Sequence, residues 1–477
     1  MADTQNQPMI DRKARIRIPF EASPARPVAE RLKDFQETII PLSPDRAVRE
    51  ASRCLQCPMA PCVKACPAGN DIPGALMKIE QGDFLGAAQV YYRTSSMPQI
   101  CGRVCTHEQL CQCTCVRNKN HEPVLCGALE AFAADFDRAQ NPNSIRPGTP
   151  SGKRVAVVGS GPAGLGCAEQ LITRGHSVTV FEAASTPGGL LTYAIPGFKL
   201  DKTIVRSLIE DLRHAGVEFR VGTPIGRACP VDQLFADGFL AVFLGTGSSI
   251  PTCMQVPGID LQGIYSPDEF LSRLNVEPEG LPPNWRKPLT VGKKVAIIGG
   301  GDTASDCLRT ALRMGASQVT CLYRRTETEM PGGKKDRALA REEGAEFRFL
   351  AQPIRFIPDS GGQVSAVECL ECKLGEPDFE GRRRPIPIDG SNFTVEADTV
   401  VCALGYEANP EIGRTTSGLV MDKNALLQVD PQTGATTRPG VFAGGDAVSG
   451  PDLVVTAMAA GRRGADSIDR YLQNAVP

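Results

Sequence analysis

The sequence predicts an α/β fold with two nucleotide-binding domains, preceded by a smaller α-helical domain rich in cysteine. Ten of the 18 cysteines lie between Cys54 and Cys126, where the chain otherwise consists of short helices and turns. Further along, the order strand, glycine-rich turn, helix, strand occurs twice, and the two glycine runs begin at Gly159 and Gly299. Each such unit requires a parallel sheet and therefore an α/β domain.

The composition excludes several classes of protein. The 477 residues carry 52 basic and 54 acidic side chains, a net charge of −2, which gives no basic surface for nucleic acid or an anionic membrane. No apolar run approaches the roughly 18–20 residues of a membrane span. Charged residues stand at the N-terminus, where a signal peptide has its apolar segment. We expect a cytoplasmic protein with no membrane span.

The spacing of the first cysteines predicts iron–sulfur ligation. The run CLQCPMAPCVKACP separates its four cysteines by two, four and three residues and ends in Cys-Pro. It is close to the run of two-cluster ferredoxins, in which the fourth cysteine binds the other cluster. A local group of cysteines in a reducing compartment favours metal ligation over disulfides. A pair of zinc sites is the alternative interpretation, which the Cys-Pro ending and the small number of histidines disfavour.

Two clusters require further thiolates, and the segment CGRVCTHEQLCQCTC supplies them. The spacing predicts that one cluster, here called the first, is held by Cys54, Cys57, Cys62 and Cys115. The second cluster then takes Cys66, Cys105 and Cys111. The spacing does not choose its fourth ligand among Cys101, Cys113, Cys126 and an oxygen ligand.

The first glycine loop has the pattern of a dinucleotide-binding, Rossmann-like unit. Gly159, Gly161 and Gly164 lie between a strand and a helix, and Glu182 ends the next strand. The glycines allow the backbone to approach a pyrophosphate, the start of the helix stabilises its charge, and the acid accepts hydrogen bonds from ribose hydroxyls. A tight turn without a ligand is the alternative.

The second glycine loop predicts NADPH rather than NADH. Gly299, Gly301 and Ala304 repeat the pattern, but the next strand ends in Arg324 and Arg325 instead of an acid. Arginine binds a 2′-phosphate, which an acid would repel. Alternatively, these arginines face solvent or bind a partner.

Taken together, these motifs resemble the small (β) subunit family of glutamate synthase over nearly the whole chain. The N-terminal half of dihydropyrimidine dehydrogenase and the NADPH-binding subunit of bifurcating ferredoxin:NADP oxidoreductase are similar as well. The motifs that carry the resemblance are CLQCPMAPCVKACP, CGRVC, VAVVGSGPAGL, TPGGLLTYAIPGFKL, VAIIGGGDTASDC, LYRRTETEMPG and VFAGGDAVSGPDLVVTAMAAGR.

The resemblance implies the cofactors FAD, NADPH and two [4Fe-4S] clusters. It implies FAD contacts from Gly159, Gly161, Pro162, Ala163, Gly164, Glu182, Gly189, Leu190, Gly445 and Asp446. The implied NADPH contacts are Gly299, Gly301, Asp302, Thr303, Ala304, Arg324 and Arg325. It also implies Glu130 as the non-cysteine fourth ligand of the second cluster.

The resemblance further implies that the NADPH domain is inserted into a discontinuous FAD domain. The expected ranges are 1–147 for the α-helical iron–sulfur domain, 148–287 for the first part of the FAD domain, 288–398 for the NADPH domain and 399–477 for the second part of the FAD domain. The segments FLGTGS (243–248) and CALGYEANP (402–410) are the expected crossings between the two domains.

The predicted function is electron entry. NADPH would reduce FAD, and single electrons would leave through the clusters to a partner in a hetero-oligomer, with no side chain acting as acid or base. The partner is expected to be a large subunit that converts glutamine and 2-oxoglutarate to glutamate. The alternatives are a subunit of a bifurcating ferredoxin:NADP oxidoreductase or of a dihydropyrimidine dehydrogenase, or a non-catalytic iron–sulfur scaffold.

Overall fold

The computed structural model describes residues 10–378 and 381–475. Its N-terminal part consists of short helices: α1 (Arg12–Ile16), α2 (Val28–Arg31), α3 (Pro44–Ala51), α4 (Pro61–Ala65), α5 (Ile72–Glu80), α6 (Phe84–Tyr92), α7 (Pro98–Val104) and α8 (Cys126–Gln140), with a 3₁₀ turn at Val116–Lys119. Buried residues of α3, α5, α6 and α8 form one core, and several cysteines belong to it. The predicted α-helical domain is therefore present.

The first α/β domain contains a five-stranded parallel sheet in the order β16-β4-β1-β2-β3. Its strands are β1 (Arg154–Val158), β2 (Ser177–Phe181), β3 (Glu218–Arg220), β4 (Ala241–Leu244) and β16 (Val441–Ala443). Its helices are α9 (Pro162–Thr173), α10 (Leu190–Tyr193), α11 (Lys202–His214), α12 (Val231–Ala236), α16 (Glu411–Thr415), α17 (Asp446–Ser449) and α18 (Val454–Ala475). The pairing of β16 with β4 joins two distant parts of the chain, which confirms a discontinuous domain.

The second α/β domain lies between those two parts. Its parallel sheet has the order β6-β14-β7-β8-β9. The strands are β6 (Ile264–Tyr265), β7 (Lys294–Ile298), β8 (Gln318–Tyr323), β9 (Glu346–Phe349) and β14 (Thr399–Cys402). The helices are α13 (Pro267–Asn275), α14 (Asp302–Arg313) and α15 (Lys334–Glu342), with 3₁₀ turns at Pro278–Gly280, Pro283–Trp285 and Glu327–Glu329.

An antiparallel unit extends from this second domain. It contains β10 (Ala351–Pro358), β11 (Val364–Pro377), β12 (Arg383–Pro387) and β13 (Phe393–Glu396), and β11 pairs with each of the other three. Where the chain crosses between the α/β domains, β5 (Ile250–Pro251) pairs antiparallel with β15 (Tyr406–Glu407). These two strands lie at or next to the expected crossings.

The inserted domain is longer than the range 288–398. The strands β6 and β14 lie outside that range, yet both belong to its sheet, because β14 pairs with β7 on one side and with β6 on the other. Sheet membership depends on a neighbouring strand far along the chain. A two-residue strand such as β6 carries no periodic pattern that could indicate it from sequence.

Both parallel sheets are buried on both faces. Helices cover both faces of the first sheet, whereas the second has helices on one face and the antiparallel unit on the other. In β1, Val155 and Val157 belong to one core, and Ala156 and Val158 belong to the core on the opposite face. In β7, Val295 and Ile297 alternate with Ala296 and Ile298 in the same way. This period of two explains the near-continuous apolar runs VAVV and VAII in the sequence.

Helix α7 connects the cysteine-rich domain to the first α/β domain. Its residues Ile100 and Cys101 are buried in the same core as Val157 of β1 and Met458 of α18. Among the helices that the structure describes, none is long and apolar enough to cross a membrane.

Buried charges also join the N-terminal segment to the inserted domain. Glu343, just after α15, lies within 2.9 Å of the Arg31 guanidinium, 3.0 Å of Arg309 and 2.7 Å of Arg313. Arg309 also donates a 2.8 Å hydrogen bond to the hydroxyl of Thr38. These contacts fix the orientation of the inserted domain against the N-terminal segment.

Candidate functional site

The four cysteines assigned to the first cluster line one cavity. Cys54, Cys57, Cys62 and Cys115 face it, and apolar side chains such as Ile72, Leu76 and Val124 complete its walls. The loop between Cys54 and Cys62 contains two left-handed residues, Gln56 with φ 49° and Ala60 with φ 34°. Because non-glycine residues rarely adopt this conformation, the loop is strained, and the strain bends it around the cavity.

The residues assigned to the second cluster lie on the side of the domain that faces α7. Cys66 ends α4, Cys105 ends α7, and Glu130 lies in the middle of α8. The pKa of Cys66 is raised to about 11, mainly by burial and in smaller part by the Glu130 carboxylate and Cys111, so these groups lie close together. Which of them bind the cluster remains a prediction.

Glu130 is buried and has a single hydrogen-bond partner among the described residues. The side-chain amide of Asn70 donates a 3.2 Å hydrogen bond to its carboxylate, and the Asn70 oxygen accepts 2.7 Å from the hydroxyl of Thr94. Burial raises the pKa of Glu130 well above its usual value, with further contributions from Cys101 and Cys111. A buried carboxyl of this kind is costly unless it binds a proton or a cation.

The other candidates for the fourth ligand have different environments. Cys101 is buried and hydrogen-bonded to Cys105, and Cys126 is buried and hydrogen-bonded to Cys111. Cys113 is exposed. Glu130 and Cys101 thus lie near the second set, Cys126 lines the cavity of the first set as well as hydrogen-bonding to Cys111, and Cys113 lies at the surface.

The cysteine sets fit iron–sulfur clusters in their chemistry. Burial raises the pKa of Cys54 to about 11 and that of Cys62 to about 12, so positive iron is needed to hold these thiols as thiolates. The hydroxyl of Tyr91 is buried without a hydrogen-bond partner among the described residues, and a cluster sulfur would accept a hydrogen bond from it. Among the described residues, no group of three or more His, Cys, Asp or Glu side chains has an arrangement that could hold a single metal ion.

Sequence reasoning missed Tyr91. Burial raises the pKa of its hydroxyl well above the usual value, and Glu130, Cys126, Cys111 and Cys54 contribute further, in that order. The hydroxyl therefore lies among candidate ligands of both clusters. The only sequence signal was a tyrosine on the buried face of a helix in the cysteine-rich segment.

The first glycine loop has the geometry of a pyrophosphate site. Gly159 follows β1 with φ +95°, and a Cβ there would lie 2.4 Å from the carbonyl oxygen of Gly245. A Cβ on Gly164 would lie 1.9 Å from the oxygen of Gly159, whereas Gly161 faces open space. Pro162 begins α9, so the amides of the first turn face the loop.

Glu182 is held in place beside this loop. Its carboxylate accepts 3.0 Å from the amide of Ser160 and 2.8 Å from that of Ala184. The Ser160 hydroxyl also donates to it and accepts 2.8 Å from the amide of Gly188. Ser160, which stands at a variable position of the glycine pattern, is a second residue that sequence reasoning missed.

The remaining residues expected at FAD lie around the same loop. A Cβ on Gly189 would be 2.8 Å from Cα of Gly161, and Leu190 is exposed at the start of α10. A Cβ on Gly445 would be 3.0 Å from Cβ of Ala163. Burial raises the pKa of Asp446, the first residue of α17, to about 7.

A cavity of about 320 Å³ connects the second flavin motif with the cysteine-rich domain. Gly445 and Thr456 line it on one side, and Pro67, the residue after Cys66, lines it on the other. The polypeptide that carries the second cysteine set thus lies beside the C-terminal flavin motif.

The second glycine loop repeats the geometry of the first. A Cβ on Gly299, which has φ +144°, would lie 2.1 Å from the carbonyl oxygen of Ala403, and Gly301 faces open space. Asp302 begins α14 and accepts 2.8 Å from the amide of Gly333, which ties the segment after the 3₁₀ turn to the loop. Thr303 and Ala304 continue the first turn of the helix.

The two arginines after β8 have different environments. Arg324 is exposed, whereas Arg325 is buried. Arg325 donates 2.8 Å to the carbonyl of Arg383 and lies 3.1 Å from the carboxylate of Asp378, both in the β11–β12 hairpin. The structure therefore leaves Arg324 accessible to a ligand and engages Arg325 within the protein.

Comparison with known proteins agrees with this architecture. Residues 31–142 match the family described as dihydropyrimidine dehydrogenase domain II, 4Fe-4S cluster, and residues 153–461 match the pyridine nucleotide-disulphide oxidoreductases. The chain is 40% identical to the glutamate synthase [NADPH] small chain of Halomonas elongata, covering 94% of this chain and 95% of that protein. It is 34% identical to the NADPH-Fe(3+) oxidoreductase subunit beta of Geobacter sulfurreducens, over 94% of this chain and 69% of that protein.

A solved structure of low sequence identity shares the fold of the two α/β domains. FprA of Mycobacterium tuberculosis in complex with NADPH aligns with a TM-score of 0.57 at 20% identity, over 69% of this chain and 86% of that one. The 40% identity to the Halomonas elongata small chain extends over nearly the whole of both proteins. Together with both family matches, it means that the chain belongs to the glutamate synthase small-chain family of NADPH-dependent oxidoreductases with FAD and 4Fe-4S centres.

Proposed function

We propose that this chain is the electron-entry subunit of a larger oxidoreductase, which oxidises NADPH and passes single electrons to a partner through two [4Fe-4S] clusters. The observation that carries the proposal is the shared cavity of Gly445, Thr456 and Pro67. It brings the residue after Cys66 to the C-terminal flavin motif, so an electron leaving a flavin there would have a short path to the second cysteine set.

The role of the polypeptide is to bind and orient. Bound nicotinamide, flavin and iron–sulfur groups supply the hydride and one-electron chemistry. The amides that begin α9 and α14 bind the two pyrophosphates, and Glu182 orients a ribose through its hydroxyls. The buried cysteine-rich core excludes water from the centres that carry electrons.

The proposed direction of electron flow is from the second cysteine set to the first. The second set adjoins α7, which shares a core with the flavin-binding domain. The first set lies in the separate core of the cysteine-rich domain, and exposed apolar side chains flank it: Met59 is 71% exposed and Val116 is 42% exposed. Electrons would therefore leave at the surface near Met59.

The partner that we propose is a glutamate synthase large subunit, with glutamine and 2-oxoglutarate as the substrates of the assembly. The support is the Halomonas elongata relative, a glutamate synthase [NADPH] small chain that aligns over nearly its whole length. The Geobacter sulfurreducens relative is named for a different acceptor, Fe(3+), and a direct test distinguishes the two.

The first test is an anaerobic titration of the purified protein with NADPH and, separately, with NADH. Absorbance would follow the flavin, and electron paramagnetic resonance would follow the clusters. We expect the flavin band to bleach at stoichiometric NADPH, and far less with NADH, with reduced-cluster signals appearing afterwards. Bound FAD and about eight irons per chain without any bleaching would instead support a non-catalytic scaffold.

The partner is tested by reconstitution. Addition of a glutamate synthase large subunit should give NADPH oxidation that requires both glutamine and 2-oxoglutarate. Reduction of ferredoxin in place of that activity would favour the ferredoxin:NADP alternative, and reduction of a pyrimidine by an added partner would favour the dihydropyrimidine dehydrogenase alternative.

A further inference from the structure

Helix α1 lies across the loop that carries the first cysteine set. Arg15 donates 2.8 Å to the carbonyl of Cys54 and 3.1 Å to that of Ser52. Arg12 donates 3.0 Å to the carbonyl of Leu55 and 3.2 Å to that of Gln56. The two guanidinium groups of α1 thus bind the backbone carbonyls of four residues within the segment 52–56.

The helix is also fixed to the other end of the same cysteine set. Arg117, two residues after Cys115, donates 2.9 Å to the carbonyl of Arg15 and 3.3 Å to that of Ile16. Arg15 is in addition paired with Glu80 of α5, at 2.9 and 2.8 Å from the two carboxylate oxygens. These contacts hold the positive charge of α1 in one position relative to the cavity.

The second cysteine set has the opposite electrostatic environment. Carboxyl groups lie near it: Glu130 lies close to Cys66, with the neutral amide of Asn70 as its hydrogen-bond partner, and Glu108 lies near Cys111. Reduction adds one negative charge to an iron–sulfur cluster. Positive charge beside a cluster therefore raises its reduction potential, and negative charge lowers it.

We propose that Arg12 and Arg15 are positioning residues that raise the reduction potential of the first cluster above that of the second. The inference rests on the proposed function and extends it, since it gives the electrons a downhill path toward the surface. The Arg15 side chain is 13% exposed, so its effect is only partly screened by salt, whereas Arg12 is exposed and its effect is screened more strongly. Hydrogen bonds and charges in the surroundings of a cluster are known determinants of its potential.

The test is a redox titration of the holoprotein followed by electron paramagnetic resonance. Arg15→Gln removes the charge and should lower one of the two midpoint potentials, changing its reduction equilibrium about tenfold, or ~59 mV for one electron. Arg12→Gln should lower the same potential. Glu80→Gln keeps the guanidinium but removes its counter-charge, so it should shift that potential upward.

Matched variants separate charge from structure. Lys13→Gln removes a positive charge from the exposed face of the same helix and should leave both potentials unchanged. Arg15→Lys keeps the charge and should recover most of the wild-type value. Iron and sulfide content, measured for each variant, identifies any loss of a cluster.

The outcomes are distinguishable. Unchanged potentials in Arg12→Gln and Arg15→Gln, an equal shift of both clusters, or a downward shift in Glu80→Gln would each overturn the inference while the electron-entry function stands. If Arg15→Gln loses iron, the midpoint potentials of Arg12→Gln and Glu80→Gln test the inference instead, because both variants retain Arg15. Wild-type protein that binds no cluster at these cysteines would overturn the proposed function itself.

Discussion

The exposed guanidinium of Arg324 is the group best placed to distinguish NADPH from NADH. Its neighbour Arg325 is engaged by the carbonyl of Arg383 and by Asp378. The sequence suggested equal roles because both arginines follow the same strand. The structure instead leaves Arg324 accessible to a 2′-phosphate, whereas Arg325 anchors the β11–β12 hairpin beside it.

We expect Arg324→Gln to raise the KM for NADPH at least about tenfold and to leave that for NADH nearly unchanged. A charge-assisted hydrogen bond to phosphate is worth roughly 1.5–3 kcal/mol, and NADH lacks that phosphate. Steady-state flavin reduction with each nucleotide measures the effect. Arg348→Gln, which removes an exposed arginine from β9, is the control. Equal losses with both nucleotides would show that Arg324 acts on the fold instead.

The residues that sequence reasoning identified are those that belong to local motifs. The glycine loops and the cysteine run have fixed spacings because one short segment must surround one ligand, so they can be recognised without the fold. Ser160, which orients Glu182, and Tyr91, which lies among the cysteines, belong to no such spacing. Their roles depend on groups brought together by folding and were therefore not predictable.

At the scale of elements, the close crossing of α9 and α18 supports the first glycine loop. A Cβ on Gly461 of α18 would lie 2.0 Å from the carbonyl oxygen of Ala163. A Cβ on Gly166 of α9 would lie 2.9 Å from that of Met458. The two helices can approach this closely only because glycine stands at both contacts. The backbone of the pyrophosphate loop is thus positioned by the C-terminal helix.

Gly461→Ala should destabilise the protein and weaken FAD binding. The added methyl group must push α18 away from Ala163, and overpacking of this kind costs about 1–3 kcal/mol. The same displacement would shift the flavin loop, so we expect FAD to be lost on gel filtration while the iron content stays near that of the wild type. Arg470→Ala, on the exposed side of α18, should change neither quantity. Retention of FAD at wild-type stability would contradict the crossing as described.

The boundary between α5 and α6 shows which helix ends can be recognised from local sequence. The apolar segment 72–92 has the composition of one helix, whereas the structure has α5 and α6, separated by Gly82 with φ +76°. Asp83 then caps α6 by accepting 2.9 Å from the amide of Gly86. The Gly-Asp pair was a detectable stop and start signal. Apolar periodicity alone did not reveal it because both helices bury faces in one core.

At the scale of the whole molecule, contacts between distant segments set the arrangement of the domains. Arg31 and Glu343 are more than 300 positions apart in sequence and are both buried. Nothing in either local sequence predicts the pair, and the same holds for the pairing of β6 with β14. The presence of two α/β domains was predictable from their glycine loops, but their extents and mutual orientation were not.

The buried carboxylate of Glu343 is the centre of the charge network that joins these segments. Burial by itself would raise its pKa, but hydrogen bonds from Arg313 and Arg309 outweigh that effect and hold the pKa below its usual 4.5. A carboxyl with a lowered pKa stabilises the folded state fully above its unfolded pKa. That contribution is lost as the pH falls through the folded value.

We therefore expect Glu343→Gln to destabilise the protein by about 3–5 kcal/mol at neutral pH, because three buried guanidinium groups would lose the carboxylate that they share. Thermal unfolding of the holoprotein measures this loss of stability.

The neighbouring Glu342→Gln is the matched control. Glu342 also pairs with Arg31, at 2.9 Å, but its side chain is 57% exposed, so its loss should cost no more than about 1 kcal/mol. The gap between Glu343→Gln and the wild type should narrow as the pH falls from the unfolded pKa of 4.5 through the lower folded pKa, since the unfolded carboxylate binds a proton before the folded one does. Equal destabilisation by the two variants, or a gap that widens in acid, would mean that the domains are oriented by apolar packing rather than by this network.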